Sequence, residues 1–537
     1  MIGPLWASVR SAAGVTMRLV PFALMPSSPR SPLLAAYNLW SHADFTACLA
    51  ELERLRATLV GVEVAEAALL RARTLLRLDR AADAVDALTM ETSLLADDDV
   101  RCSVEALRGF ALVSAGRSDE GMRSLHDALA HAEAYPVAAS VRLEAVYHVA
   151  FACWVLGDYV RAEVEASRAL EPGVDGIVSR ATALRGWIRV GRSQYAQALP
   201  FFREARRAFT SVSRDAAFEA SVVHALATYE WQLLEHDGEP RYYAEELPRV
   251  HGPSLDTYRL LVGVADAWRA ALAGDECRAV AFAAQTEAND VPPHWRVFGL
   301  ATRAGVARSF GHEQFARATA DVGFMIATGT DWTDSPGESR MALLYGAERL
   351  AGHDVDRARA LLGAYARIAT EVDPRYARGA HAFHRATEHH ARGVVALAAA
   401  DPSSAHRHLL DAHRLFTAVG FRWRAAASQL ALARQNTAAA RRAYREARKF
   451  VLDRFPRSYL ARELHDHAIE TPPALEPLTP AHVAIIRALC AGKSKRQIAE
   501  ERRTALGTVR NQVKQILQRT DLHSVEELRR RYGGASA

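Results

Sequence analysis

Short turns recur along this chain at intervals of 34 to 41 residues, and that period points to a stack of repeated helical units. Leu156-Gly157-Asp158-Tyr159, with Ala162 behind it, is echoed by Val190-Gly191-Arg192, with Tyr195 and Ala198 behind it; the two glycines lie 34 residues apart. Turns at Asp79 and Gly116 precede them at intervals of 37 and 41, and Gly274, Gly311 and Gly352 repeat those two intervals downstream. Each unit reads as two antiparallel helices. A glycine makes the turn, alanines stand where the helices touch closely, and an apolar end such as Ala169-Leu170 comes before Pro172. Two helices cannot bury an apolar face alone, so stability must come from stacking on neighbouring units.

The pattern resembles tetratricopeptide repeats in degenerate form, whose period is 34; an alanine-rich helical bundle is the alternative. The expected fold is all-α: an α-solenoid of helix pairs, followed by a C-terminal domain of four helices. Two stretches interrupt the array. Glu235 to Pro253 is rich in proline, glycine and charge, and Val291-Pro292-Pro293 breaks it again. These divide the chain into a first array at 33–250 and a second at 251–467, with a proline-stiffened linker at 468–477 containing Thr471 to Pro477. A domain at 478–532 and a tail at 533–537 follow. Residues 1–32 read as a disordered extension, or as an early start with Met17 and Met25 also available. Their charges and short apolar patch, Leu19 to Leu24, lack the order of a secretory signal.

Half of the 537 residues are apolar, yet no apolar run approaches 18, which argues against a membrane span. Cys48, Cys102, Cys153, Cys277 and Cys490 are scattered and form no paired motif. That spacing fits a reducing cytoplasm, with each thiol a small core residue.

The last sixty residues differ from the array. Thr479-Pro480 is a helix start, a hydroxyl cap followed by a proline where no amide donor is needed. Val483, Ile485, Ile486 and Leu489 follow at helical spacing, and Gly492 ends the helix. Ile498-Ala499 belongs to a second short helix. A third runs from Leu506 to Arg519, with an inner stripe of Val509, Val513, Ile516 and Leu517. Its opposite face offers Arg510, Asn511, Lys514 and Gln515. From Leu478 to Tyr532 there are twelve Lys+Arg against five Asp+Glu, a net charge of +7 where the whole chain is +5. Three of the four lysines, Lys493, Lys495 and Lys514, fall in this segment. Basic charge is concentrated where contact with phosphate would need it.

This segment resembles the LuxR-type helix-turn-helix domain. The resemblance rests on Leu478-Thr479, Gly492 with Ser494, Ile498-Ala499, Thr508-Val509 with Arg510, and Ser524 ahead of a closing helix, Val525 to Tyr532. It implies that Arg510, Asn511, Lys514 and Gln515 face bases. It also implies that Thr508, Lys495 and Arg496 meet phosphates, and that Val525 and Leu528 of the closing helix pair two protomers. The chain departs from the family at His482, usually acidic, and at Val525, usually arginine. Arg502 and Thr504 occupy apolar family positions, and Ala505 stands for the usual cap serine. Thr504 can cap one residue early and Leu506 can refill the apolar gap. Phe416-Thr417-Ala418-Val419-Gly420 and the helices after it resemble the repeats that precede this domain in large LuxR-type regulators.

Several motifs point elsewhere and fail. Gly492-Lys493-Ser494 ends like a phosphate-binding loop, but Arg487 stands where its first glycine belongs and no strand precedes it. Asp97-Asp98-Asp99 lacks the alternating strands and the lysine of a phosphoryl-receiver pocket and reads as a solvated turn between helices. His381, His384, His389 and His390, with Glu388, read as an exposed polar helix face rather than a metal site. No nucleophile elbow, paired acid motif or nucleotide fingerprint supports an enzyme, and no cofactor is implied. The expected function is a cytoplasmic transcription regulator acting on double-stranded DNA as a homodimer. Its repeats would sense a small-molecule effector or dock a protein in their groove, and no membrane is involved. The alternatives are the promoter-reading region of a sigma factor, and a helical-repeat scaffold whose C-terminal domain is vestigial.

Overall fold

A computed structural model describes residues 31–532 apart from 79, 90–96, 171–174, 213–214, 234–240, 248–254, 287–290, 333–336, 373–381, 436–437, 471–477, 521 and 523. The extension at 1–30, the turn residue Asp79, Pro172, His381, the linker's 471–477 and the tail at 533–537 lie outside the described residues. Every element is a helix, with no strand among the described residues. The chain divides into two compact units. One holds the residues up to 432 with 443–461, and the other holds 433–442 with 462–537.

The first unit is built from helix pairs. Asp98–Ser114 packs on Ser118–Ala134, Ala139–Val155 on Tyr159–Arg168, and Asp175–Gly191 on Tyr195–Val212. Later pairs are Asp256–Ala273 with Glu276–Gln285, Pro293–Ser309 with Glu313–Thr328, Gly337–Leu350 with Val355–Val372, and Ala382–Ala398 with Pro402–Ala418. From Asp98 to Gly191, and again from Asp256 to Ala398, the first helix of one pair also packs on the first helix of the next, and Ala216–Leu233 joins the two series; this is how a stacked repeat buries its apolar faces.

The turns inside the pairs share a recurring chemistry. In four of the turns a residue in the left-handed region ends the first helix and an aspartate just after it caps the second; at Gly116 and Gly311 the left-handed glycine is kept, but Arg117 and His312 make no side-chain cap. The four are Gly157-Asp158, Gly274-Asp275, Ala43-Asp44 and Ala400-Asp401, with φ of 78°, 78°, 59° and 56° at the first residue. Each aspartate accepts a hydrogen bond from the amide three residues on, at 3.0–3.2 Å. Its own amide donates to the carbonyl five residues back, at 2.9–3.0 Å.

Gly191 is not a turn residue. It ends the Asp175–Gly191 helix, and Ser193 takes the left-handed conformation at φ 59°. The corresponding turns therefore lie 36 residues apart, at 157 and 193, rather than 34. Gly191 is small for a different reason: a Cβ there would stand 2.6 Å from the Tyr159 ring.

Residue 250 does not separate two arrays. Ala216–Leu233 packs directly on Asp256–Ala273, and Tyr242, Tyr243 and Leu247 between them are buried. Asp266, fully buried, accepts from the Ala244 amide at 2.6 Å and from Arg269 Nη1 at 2.8 Å, and the Tyr243 hydroxyl donates to Glu230 at 2.7 Å. Burial, opposed by Arg269 and these amide donors, pushes the Asp266 carboxyl up to about 6.

The interior of the early repeats holds paired charges. Asp215 accepts from Arg77 at 2.9 Å and Arg180 at 3.2 Å, and caps the Ala216–Leu233 helix through the Phe218 amide at 3.0 Å. Arg73 meets Glu144 at 3.1 Å, with both side chains buried. Asp97, Asp98 and Asp99 are likewise structural. Asp97 caps the Asp98–Ser114 helix, Asp98 meets His131 Nε2 at 3.1 Å, and Asp99 accepts from the Ala138 amide at 2.7 Å. Cys48, Cys102 and Cys153 are buried as expected, and burial raises their thiols to about 11, 12 and 11. Cys277 is exposed.

The array also turns back on itself within this unit. Tyr195 stacks near Phe421 at 4.7 Å, Trp231 near Trp423 at 4.8 Å, and Arg424 Nε donates to Gln232 at 3.0 Å, across 192 residues of sequence. The repeats around 195–233 and 382–430 thus touch.

Two predictions follow from this packing. The helices Asp98–Ser114 and Ser118–Ala134 cross at Gly109 and Gly121, where a Cβ on Gly121 would lie 2.6 Å from the Gly109 carbonyl oxygen. Gly121→Ala should cost about 1–3 kcal/mol in chemical denaturation. Gly363→Ala, in a helix with nothing within 4 Å, should be neutral or stabilising by up to about 1 kcal/mol. Separately, burial and then Arg73 hold His148 down to about 3, and burial holds His224 down to about 4, both below the ordinary 6.5. The unfolded chain takes up protons below pH 6.5 where the native chain does not. Their stabilisation is complete above pH 6.5 and is lost as pH falls toward 4 and 3. Thermal midpoints should fall over that window, and His148→Phe, placed against Phe110 at 5.7 Å, should flatten the decline.

Candidate nucleic-acid interface

The second unit carries four short helices: Pro480–Cys490, Lys495–Glu501, Leu506–Thr520 and Val525–Tyr532. Local chemistry sets each boundary. Thr479 Oγ1 accepts from the His482 amide at 3.2 Å, with Pro480 in the first turn. Gly492, at φ 84°, ends that helix, and the Lys493 amide donates to the Ala488 carbonyl at 3.1 Å. Ser494 and Gln497 form a reciprocal capping box, at 3.3 Å and 2.8 Å. Gly492-Lys493-Ser494 is thus a helix stop and a helix start, and Lys493 Nζ pairs with Glu501 at 2.6 Å. Arg503 adopts φ 50° between the second and third helices, where the Thr504 amide donates to the Ala499 carbonyl at 2.9 Å. Ser524 Oγ accepts from the Glu527 amide at 3.1 Å to start the last helix.

The expected inner stripe forms the core. Val509, Val513 and Ile516 are buried with Ile485, Leu489, Ile498 and Leu528, while Leu506 and Leu517 pack partly against them. Leu506 thus packs against this core from the first turn of its helix. With that stripe inside, Arg510, Asn511, Lys514 and Gln515 are all exposed along one face of the Leu506–Thr520 helix. Thr508 is exposed at its first turn, and Lys495 and Arg496 at the first turn of the preceding helix. Arg496 Nε meets Glu500 at 3.2 Å, with the two side chains 82% and 65% exposed. Such an exposed pair holds little energy.

The net charge of +7 overstates what is available outside, because several arginines serve the unit itself. Arg502 Nη1 donates to the Ala481 carbonyl at 3.0 Å, and Arg529 Nε to the Leu489 carbonyl at 2.9 Å. Arg519 Nη1 meets Nδ1 of the buried His482 at 3.3 Å. Two of the family departures, Arg502 and His482, thus have partners inside the fold, which the sequence pattern did not reveal.

Leu528 is a correction. It is fully buried in the four-helix core, with Val525 half-buried against the same core, so it is no exposed strip for a second protomer. The closing helix holds its own unit together.

No family model matches the chain, and no curated protein matches it. Among solved structures, it is similar to a chain of the crystal structure of the APC/C hetero-tetramer Cut9-Hcn1. The identity is 12%, with 96% of this chain and 98% of that chain covered, at a TM-score of 0.27. At that overlap the match carries no inference about partners or activity. Among the described residues, no helix is long and apolar enough to cross a membrane, and no group of three or more His, Cys, Asp or Glu gathers as metal ligands.

Leu528→Ala should destabilise the C-terminal helices by about 2–5 kcal/mol, as a buried leucine truncation does. Hydrogen exchange over 478–529 reads this directly. Protection unchanged by the substitution would show that Leu528 is not core.

Proposed function

We propose that the chain is a DNA-binding transcription regulator of LuxR type, with its helical repeats as the controlling module. The observation that carries this reading is the exposed quartet Arg510, Asn511, Lys514 and Gln515, set over the buried stripe Val509, Val513 and Ile516. A helix held by one face and presenting guanidinium, amide and ammonium groups on the other has the chemistry that base edges in a major groove require. Lys495, Arg496 and Thr508 lie at helix starts, where cationic side chains and amide donors suit phosphate. Two protomers on an inverted repeat remain part of the proposal, with their contact elsewhere than Leu528.

The second reading is a helical-repeat scaffold in which the C-terminal unit contacts no DNA. It is favoured by the number of basic side chains held inside that unit. The exposed apolar residues Phe315, Val322 and Met325 on one repeat helix favour it further.

Fluorescence anisotropy of the full chain with duplex DNA separates the two. The regulator should bind at low salt and lose orders of magnitude in affinity by moderate salt. Arg510→Ala should weaken a specific site by about 1–3 kcal/mol and relax preference at one base pair, while Lys495→Ala should weaken all sequences about equally. No binding at low salt, or binding indifferent to salt, would leave the scaffold reading in place.

A further inference from the structure

Where the array turns back on itself, the first unit holds a partly open pocket of about 40 Å³. Its lining includes Arg349, Arg424, Glu348 and His390, with Trp268, Trp423 and other aromatic rings as walls. The site has a surplus of positive charge. Glu348 meets Arg349 Nη2 at 3.1 Å, which neutralises one guanidinium. That of Arg424 already donates from Nε to Gln232 and from Nη2 to the Tyr345 hydroxyl, but both partners are neutral, so its charge adds to the site. Burial alone would raise the Glu348 carboxyl, but Arg349, His390, Arg424 and Arg308 outweigh it and hold the group below the usual range. His390 is buried, its Nδ1 2.9 Å from Ser428 Oγ, so the expected exposed histidine face in fact turns one ring inward. Arg349 lies over Trp268 at 5.3 Å, and its buried Nε has no hydrogen-bond partner among the described residues.

We propose that this pocket binds a carboxylate, held by the guanidinium groups of Arg349 and Arg424 and walled by Trp268 and Trp423. Planar guanidinium forks match planar oxyanions, and a buried donor without an acceptor is costly until one arrives. The volume admits only a few water-sized spheres, enough for a carboxylate head and not for a drug-sized molecule. The proposal deepens the view of the repeats as an effector-sensing module, but it depends on no DNA contact.

The test is a titration of the full chain without DNA, at constant ionic strength, following the thermal midpoint and heat of binding. Acetate should raise the midpoint and saturate in roughly the millimolar range, as expected for so few atoms, whereas chloride should not. Arg349→Met should abolish the acetate response. Arg349→Lys, which keeps the charge and loses the fork, should weaken it severalfold, and serves if the methionine variant fails to fold. Running benzoate beside acetate separates a free small carboxylate from the head of a larger ligand, and saturation by either supports the site. Equal responses to acetate and chloride, an unchanged acetate response in both Arg349 variants, or saturation by methylammonium instead would overturn it. Loss of DNA binding leaves this result untouched, and the converse holds.

Discussion

One guanidinium joins the early and the late repeats of the first unit. Arg424 sits among five rings, 4.6 Å from Trp423, 5.4 Å from Tyr345 and Phe383, 5.6 Å from Trp231 and 5.9 Å from Phe416. Trp231 belongs to the early repeats and the other four to the late ones. The same side chain donates to Gln232 at 3.0 Å and to the Tyr345 hydroxyl at 3.1 Å. A string of helix pairs needs only neighbour contacts to stand, but contacts across 192 residues fix how it curves. A charge held on aromatic faces suits that role, since it satisfies several elements at once without a carboxylate of its own.

Elsewhere in that unit, charge is buried in pairs rather than avoided. Asp215 bridges Arg77 and Arg180, and Asp266 bridges Arg269 and the 241–247 segment. Such groups cost desolvation and are weak evidence of net stability. Their effect is on specificity, because a slipped stacking register would strand a charge in the interior. The same economy governs the C-terminal unit, where Arg502, Arg519 and Arg529 bind carbonyls and a ring of the fold. The exposed basic surface is therefore smaller and more defined than the charge count suggests.

Much of the fold was legible in the sequence because helix turns are local chemistry. Gly116, Gly157, Gly274, Gly311 and Gly492 are all left-handed, as glycine after an apolar helix end implies. The inner stripe of Val509, Val513 and Ile516 followed from spacing alone. What could not be read was non-local. Gly191 looked like a turn because glycine serves two purposes, and only the Tyr159 ring beside it decides which. Leu528 looked like an exposed strip because an eight-residue helix gives no sign of which face its own domain covers. The contact at Arg424 joins segments that no periodicity relates, and with it the pocket at Arg349.

The central claim is that the Leu506–Thr520 helix reads bases, and selection from a random pool of duplexes by the full chain tests it most directly. The account predicts convergence over successive rounds on one short motif, with Arg510→Ala losing the preference at a base pair inside it. A pool that stays random with the wild-type chain would contradict the account.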